Sequence, residues 1–534
     1  MATAPTTTSA SASAGPAVSP AIQVAPKHHG ALIRGADLIP RSDFIEGRFG
    51  RLFRSLQAAP HTEADLIRLA EKMTAEKEDT PTPEDQIDDE ENTGTKKDPG
   101  ISAGYTYLGQ FLDHDITFDP NSSLEKQNDP DALVDFRSPR FDLDCLYGKG
   151  PSDQPYLYRD DGLHLLEGDP LTGNADGTAA RDLPRNRPAP GEPERALIGD
   201  PRNDENVIVS QLQGMFIRFH NRMVDFLRQK NGGVTFEEAQ SAVRWHYQWV
   251  ILHDFLPTVA GKQAVAAVLP DIFDAKTSRV SPAKLSLYKP RKDAFIPVEF
   301  SVAAYRFGHS MVRPIYRLNG KVPRLPIFSQ DPNSGLTGFR AFPRNWAIDW
   351  PLFFRNGNSP ATGPGRLQPA YKIDTSLVNP LGNLPASVGG NAPSLPERNL
   401  LRGLRMGLPS GQMVARSMGL EVIPDEKLTI GKATEESSAS NPKLIEISSA
   451  FRDNAPLWYY ILAEAQQAFV TNDTPIRLGP VGGRIVCETF VGLMWQDRHS
   501  FLRQRPDFRP FDEFLLSSGQ FNISALLAQA ALAK

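Results

Sequence analysis

The stretch Gly109-Gln110-Phe111-Leu112-Asp113-His114-Asp115-Ile116-Thr117-Phe118 sets an imidazole between two carboxylates. On a helix, at about 100° per residue, Gln110, Asp113 and His114 share one face, and Asp115 lies about 200° round from Asp113. One turn can therefore offer an amide, a carboxylate and a base to one site and a second carboxylate to another. Imidazole is the side chain that exchanges protons near neutral pH. Taken alone, Asp-His-Asp is more often a hydrogen-bonded polar turn near a surface, because charge is costly to bury. The other motifs must decide.

Several follow. Within Arg137-Ser138-Pro139-Arg140-Phe141-Asp142-Leu143-Asp144-Cys145-Leu146-Tyr147-Gly148, oxygen-bearing residues recur at Ser138, Asp142 and Asp144. That alternation suits a hard cation such as Ca²⁺, which takes six to eight oxygens, and Asp115 would add a further carboxylate. In Gly199-Asp200-Pro201-Arg202-Asn203-Asp204-Glu205, Arg202 and Glu205 stand three apart at the opening of a helix. The plain alternative there is acids in a first helical turn, which is stabilising by itself. In Ser301–Arg313, His309 shares a helical face with Val302, Tyr305 and Arg306, and Gly308 would let a flat, bulky partner approach the backbone. Asn399 and Arg402 stand one helical turn apart.

Together these segments resemble the animal-type haem peroxidase superfamily (myeloperoxidase, lactoperoxidase and peroxidasin-like proteins), here as a bacterial-type member. They fall in that family's order over about residues 30 to 505. The resemblance implies that Gly109–Phe118 is the distal helix, with His114 as the base, Arg202 as the catalytic arginine and Gln110 near the small-anion position. It implies His309 as the haem-iron ligand, Asn399 accepting its hydrogen bond, and Arg306 and Arg402 facing haem propionates. Asp113 and Glu205 match the residues that form ester links to haem methyl groups. Asn206 stands where myeloperoxidase has a methionine linked to a haem vinyl group, so that third link is expected to be missing. Asp115, Ser138, Arg140 (through its main-chain carbonyl), Asp142 and Asp144 match the family's calcium loop, with Asp144 where a serine often occurs.

The function so implied is reduction of hydrogen peroxide through a ferryl haem b, with bromide, iodide, thiocyanate or small aromatic donors oxidised in turn. One rival is a fatty-acid dioxygenase of the cyclooxygenase or α-dioxygenase type. Those enzymes place a tyrosine three residues before the proximal histidine, where this chain has Arg306, with Tyr305 one further back. Another is a non-catalytic, calcium-binding adhesive protein, against which the presence of both His114 and Arg202 speaks.

Composition is compatible with this. The chain has 534 residues, 40% of them hydrophobic and 23% charged, as in ordinary soluble domains. A net charge of -5 gives no reason to expect nucleic acid as a partner, and no apolar run is long enough to span a membrane. Cys145 and Cys487 allow one disulfide at most. Residues 1–30 are expected to form a disordered tail, since Met1–Pro26 is rich in Ala, Ser, Thr and Pro and lacks the basic start and apolar core of a signal peptide. The expected location is accordingly the cytoplasm or a non-classical secretion route, with oligomeric state left open.

The elements that must position these residues read as helices. Residues 31–534 are expected to form one large, mostly α-helical domain with little β-structure. Thr62–Lys77 is predicted amphipathic with Thr62 as N-cap. Leu212, Met215, Phe216, Phe219, Met223 and Phe226 form the stripe of a long helix. Gln240–Phe255 is predicted as another, its His246 and His253 two turns apart and read as core histidines. Pro456–Phe469, Gly482–Trp495 and Phe511–Leu532 are predicted helical. Residues 78–100 are acidic and Pro-containing, and are read as a solvated loop. His28-His29 is read as an exposed pair.

Overall fold

Thr62 opens the first helix, its hydroxyl accepting from the Asp65 amide, and Glu63–Met73 follow with Leu66, Leu69, Ala70 and Met73 buried. The helix stops at Thr74, short of Lys77, where the backbone turns extended. The computed structural model describes residues 47–533 apart from 78–87, 96–99, 119–133, 136, 176–179, 190–191, 193, 275–278, 292, 330, 357–359, 361–362, 364, 391, 472 and 474. The expected tail over residues 1–30 and the pair His28-His29 lie outside the described residues.

The predicted distal stretch is a helix, Gly104–Ile116. Its start is pressed against residue 353: a Cβ on Gly104 would come within 2.5 Å of the Phe353 carbonyl oxygen. Phe111 stacks on Phe216 with centroids 4.4 Å apart, and Tyr247 meets both rings edge-on. Aromatic pairs of this kind add about 0.5–1.5 kcal/mol beyond the area they bury. They bind the distal helix to Val207–Asn231, which carries the predicted apolar stripe, and to Phe236–Val250. The latter begins earlier than predicted because Thr235 and Glu238 form a reciprocal cap. It then continues through a widened turn, Ile251–Phe255, into Leu256–Ala260.

Strand structure is slight. Gly47–Gly50 pairs antiparallel with Val134–Asp135 and parallel with Ile296–Pro297. Ile315–Tyr316 pairs antiparallel with Leu325–Pro326. The first of these sheets ties together the approaches to two candidate sites, because Asp135 leads into the Ser138–Asp144 loop and Ile296 into the segment that carries His309. Mostly helical architecture is thus observed, with buried apolar residues in one cluster from Phe49 to Ala530.

Some expectations need correction. Residues 301–313 do not form one regular helix: a widened turn, Glu299–Ala303, passes into tight 3₁₀ turns, Ala304–His309. The break falls at Ala303, which leaves the helical region at φ -127°, ψ -73°. Part of the acidic stretch is core rather than solvated loop. Glu90, Glu91 and Asn92 are buried because Glu91 is held by Arg366 at 2.7 and 2.9 Å and by Arg313 at 2.9 Å, while Glu90 pairs with Lys432. In the C-terminal stretch only Ile523–Ala531 forms a regular α-helix, capped by Asn522. Leu457–Val470 and Pro480–Gln496 are helical as predicted. Cys145 and Cys487 are both buried and unpaired.

His246 is a core histidine as expected, bonded to the Ala242 carbonyl at 2.7 Å and ringed by Phe508, Phe511 and Phe521. His253 stacks on Trp249 at 3.5 Å, and His220 bonds the Leu163 carbonyl at 2.8 Å. Burial pushes all three imidazoles down to about 4. The unfolded chain takes up these protons near 6.5, so below that pH it binds more protons than the folded chain. Stability from this source is complete above pH 6.5 and is lost as pH falls towards about 4, by at most about 1.4 kcal/mol per pH unit for each histidine. Urea midpoints should fall steadily over that interval; a flat midpoint would show that these rings are protonated without unfolding.

Candidate active site

On the Gly104–Ile116 helix, His114 is buried and its Nδ1 lies 2.7 Å from Oδ1 of Asn203. Asn203 donates from Nδ2 to Oε1 of Gln213 at 2.9 Å, and Gln213 donates in turn to the Cys145 carbonyl at 3.3 Å. This chain fixes polarity. The Asn203 oxygen is the end that faces His114, so the ring proton belongs on Nδ1 and the lone pair on Nε2. Nε2 looks towards Glu205, 4.0 Å away. Burial first, and then the charge of Arg202, hold the pKa of His114 below the ordinary imidazole value. It is a neutral base at neutral pH.

Arg202 sits in the tight turn Pro201–Asp204. Its Nε and Nη2 are held by Asp200 at 2.7–3.2 Å, and Nη2 also reaches the carbonyls of His114 (3.0 Å) and Thr117 (2.6 Å). Its guanidinium lies over the Phe118 ring. Burial would raise the pKa of Asp200, but Arg137 and Arg202 hold it far below the usual carboxylate range. Gly199 is required beside it, since a Cβ there would strike the carbonyls of Asp144 and Cys145. Gln110 donates to Glu205 and accepts from Asn206 at 3.0 Å.

Asp113 accepts from the Thr117 hydroxyl at 3.0 Å, and its charge acts on Tyr305 and Arg306 of the opposite segment. Tyr305 spans the two segments directly, donating to the Gly109 carbonyl at 3.0 Å. On this far side, His309 Nδ1 lies 2.8 Å from Nδ2 of Asn399, whose Oδ1 accepts from Arg306 at 2.8 Å. The expected direction of the histidine bond is therefore reversed. A guanidinium has only donors and claims the amide oxygen, leaving the amide nitrogen for His309. Burial, then the charge of Arg402, pushes Arg306 down to about 10, with Arg398 adding to it.

Residues 141–333 match the family model described as animal haem peroxidase. Over that segment the chain is similar to the animal haem peroxidases. Peroxidasin of Drosophila melanogaster is 26% identical over 57% of this chain and 18% of its own length. Thyroid peroxidase of Rattus norvegicus is 25% identical over 67% of this chain and 38% of its own. The match thus covers well under half of these relatives. Among solved structures, peroxidase A of Dictyostelium discoideum aligns over 91% of this chain and 95% of its own, with TM-score 0.55 and 17% identity. The fatty acid alpha-dioxygenase of Oryza sativa aligns over 96% and 85%, with TM-score 0.52 and 15% identity. Both structural likenesses concern the fold.

That similarity implies haem, and the residues present fit one. Arg306 is deep enough for desolvation to depress it, and its bonded acceptors are the neutral Ser301 carbonyl and Asn399 amide. Two further guanidiniums, Arg398 and Arg402, bear on it. Such a group calls for anions of the kind two propionates would supply. Gln110, Asp113, Arg202, Glu205, Arg306, Gly308 and His309 are each only partly buried, although their chain neighbours Phe111, His114, Asn203 and Phe307 are buried. A Cβ placed on Gly308 would meet nothing within 4 Å. Open space therefore lies beside Gly308, next to His309.

A second cluster lies behind His114. One oxygen each from Asp115, Asp142 and Asp144 falls within 4.8 Å of the others. Asp115 accepts from Tyr247 (3.0 Å) and the Leu143 amide (3.2 Å) through Oδ2, while its buried Oδ1 has no hydrogen-bond partner. Burial and neighbouring carboxylates push Asp115 up. Burial also takes Asp144 to about 7, against the opposing charge of Arg137. Leu143, between two of the acids, is held at φ 62°, a strained setting for leucine. The Ser138 hydroxyl bonds Asp142 at 2.7 Å, and the Arg140 side chain turns towards Asp497 at 4.0 Å. Three mutually repelling acids, two buried carboxylate oxygens without a hydrogen bond (Oδ1 of Asp115 and of Asp144) and a strained backbone fit a dication.

Sequence reasoning missed Asn203 and Asp200. Both stand within two residues of Arg202, but nothing in their types tells which long-range partners they meet. If Asp115, Asp142 and Asp144 hold Ca²⁺, stripping the protein with a chelator should lower its melting temperature by several degrees, and added Ca²⁺ should restore it. Asp142→Asn should abolish that response. A melting temperature indifferent to chelator and Ca²⁺ would remove the metal from this site.

Proposed function

We propose that this chain is a haem peroxidase that reduces hydrogen peroxide to water and oxidises bromide, iodide, thiocyanate or a small aromatic donor. The observation that carries the reading is the polarity of the Gln213–Asn203–His114 chain. It leaves an unprotonated Nε2, in a buried and pKa-lowered imidazole, on the side of the helix that carries Gln110 and faces Glu205.

Haem would be held by His309 through Nε2, by Arg306 and Arg402 on its propionates, and by ester links from Asp113 and Glu205. Bound there, it supplies the redox iron through which peroxide and the donor exchange electrons. An Nε2 ligand needs the ring proton on Nδ1, and so needs the Asn399 oxygen on that side, opposite to its present placement.

The chain's own residues handle protons and charge. His114 Nε2 accepts the first proton of hydrogen peroxide while Nδ1–H stays on Asn203, so the imidazolium is stabilised as it forms. It then returns that proton to the departing oxygen, which leaves as water. Arg202 is permanently charged and pre-positioned by Asp200, and it offsets the negative charge that develops as the two oxygens separate. Asp115, Asp142 and Asp144, with Ser138 and the Arg140 carbonyl, would bind Ca²⁺ and brace the turn next to His114. Asn206 cannot form a sulfur link, which favours donors more easily oxidised than chloride. Tyr305 is a poor radical site for the dioxygenase reading, since its hydroxyl is committed to the Gly109 carbonyl and its ring stacks on Phe300.

Stopped-flow mixing of the haem protein with hydrogen peroxide tests the reading. His114→Ala should slow the bimolecular step by about 10²–10⁴. With the native chain the rate should hold as pH falls through 6.5 and decline only at lower pH, because the base keeps its lone pair until its lowered pKa is reached. Native-like rates in His114→Ala would refute the assignment. Acid-acetone extraction should leave the haem on the protein, and free haem in the supernatant would exclude the ester links.

A further inference from the structure

Asn206 performs two tasks at once. Its Oδ1 caps the Val207–Asn231 helix, accepting from the amides of Ile208 (3.1 Å) and Val209 (2.9 Å). With the oxygen committed, the end left over is Nδ2, which donates to Oε1 of Gln110 at 3.0 Å. That in turn commits the oxygen of Gln110, so its Nε2 points the other way and donates to Glu205. A helix N-terminus presents only donors, and their polarity is here passed through two side-chain amides, each oriented by the one before.

The consequence concerns what the distal space can bind. An amide nitrogen carries two hydrogens. One of those on Gln110 meets Glu205 and the other remains for a ligand beside His114, whose Nε2 lies 4.0 Å from the same Glu205 oxygen. Were the amide turned over, a carbonyl oxygen would stand there and repel an anion. An oxygen of Glu205, as acid or ester, still accepts the hydrogen. We propose that Asn206 is a specificity-determining residue: by capping the helix it locks Gln110 with its N–H towards the distal space and so makes that space a site for a small anionic donor. This inference rests on the peroxidase reading and adds to it the device that selects the donor's charge.

Asn206→Asp separates the cap from the lock. Aspartate caps helices about as well as asparagine, so the fold is retained. It has no N–H to give, however, so the Gln110 amide turns over to donate to it. Thiocyanate and bromide would be titrated against the absorption spectrum of the resting haem protein at constant ionic strength, with melting temperature as the check on folding. Asn206→Asp should weaken both anions by about tenfold or more. Because the substitution also adds charge, the titration is repeated on a Gln110→Met background. If Asn206 acts through Gln110, the second substitution has little further effect there. Unchanged anion affinity in Asn206→Asp overturns the inference, as does an equal loss in both backgrounds, which would mean charge alone. A purified chain that takes up no haem fails the peroxidase reading itself, and this inference with it.

Discussion

Six consecutive residues of one helix serve several sites at once, and the fixed rotation per residue constrains everything around them. Between Gln110 and Asp115 the Gly104–Ile116 helix sends an amide to Glu205 and Asn206, a carboxylate towards the segment bearing Tyr305 and Arg306, an imidazole to Asn203 and a second carboxylate to Tyr247 and Leu143. None of these can be adjusted without moving the others. The stack of Phe111 on Phe216, with Tyr247 edge-on, holds the helix in register from its apolar side.

Asp200 is the second fixed point. It accepts from Arg202 on one side and from Arg137 on the other, the latter at 2.6–3.0 Å, and Arg137 also lies 3.6 Å from Asp144 of the acidic cluster. The candidate base, the candidate arginine and the candidate cation site are thus joined twice, through the backbone of residues 114–115 and through a buried row of alternating charges. Removing one charge from such a row strands another, and that costs more than the pair itself contributes.

Much of this was legible in the sequence because it depends on local spacing. The face shared by Gln110, Asp113 and His114, the apolar stripe of the Val207–Asn231 helix and the recurring oxygens of 138–144 all follow from periodicity. What could not be read depends on contacts across the fold. Glu90 and Glu91 look like solvated acids until Lys432, Arg313 and Arg366 arrive from distant parts of the chain. The orientation of Asn203 follows from Gln213, that of Asn399 from Arg306, and that of Gln110 from a helix cap at Asn206. An amide looks the same in sequence whichever way it faces. The change from a widened turn to 3₁₀ turns before His309 was likewise hidden, since Arg306 and His309 remain neighbours at three residues' spacing in either geometry.

On the function proposed above, His309 would hold the iron of a single haem and His114 would act on the peroxide bound there. Ferric haem titrated into the haem-free native chain and into His309→Ala and His114→Ala variants tests it most directly, followed by absorption and by the iron–imidazole stretch in the reduced state. One haem per chain with an iron–imidazole band is expected in the native and His114→Ala proteins, and loss of that band in His309→Ala. A band that survives in His309→Ala, or vanishes in His114→Ala, would contradict it.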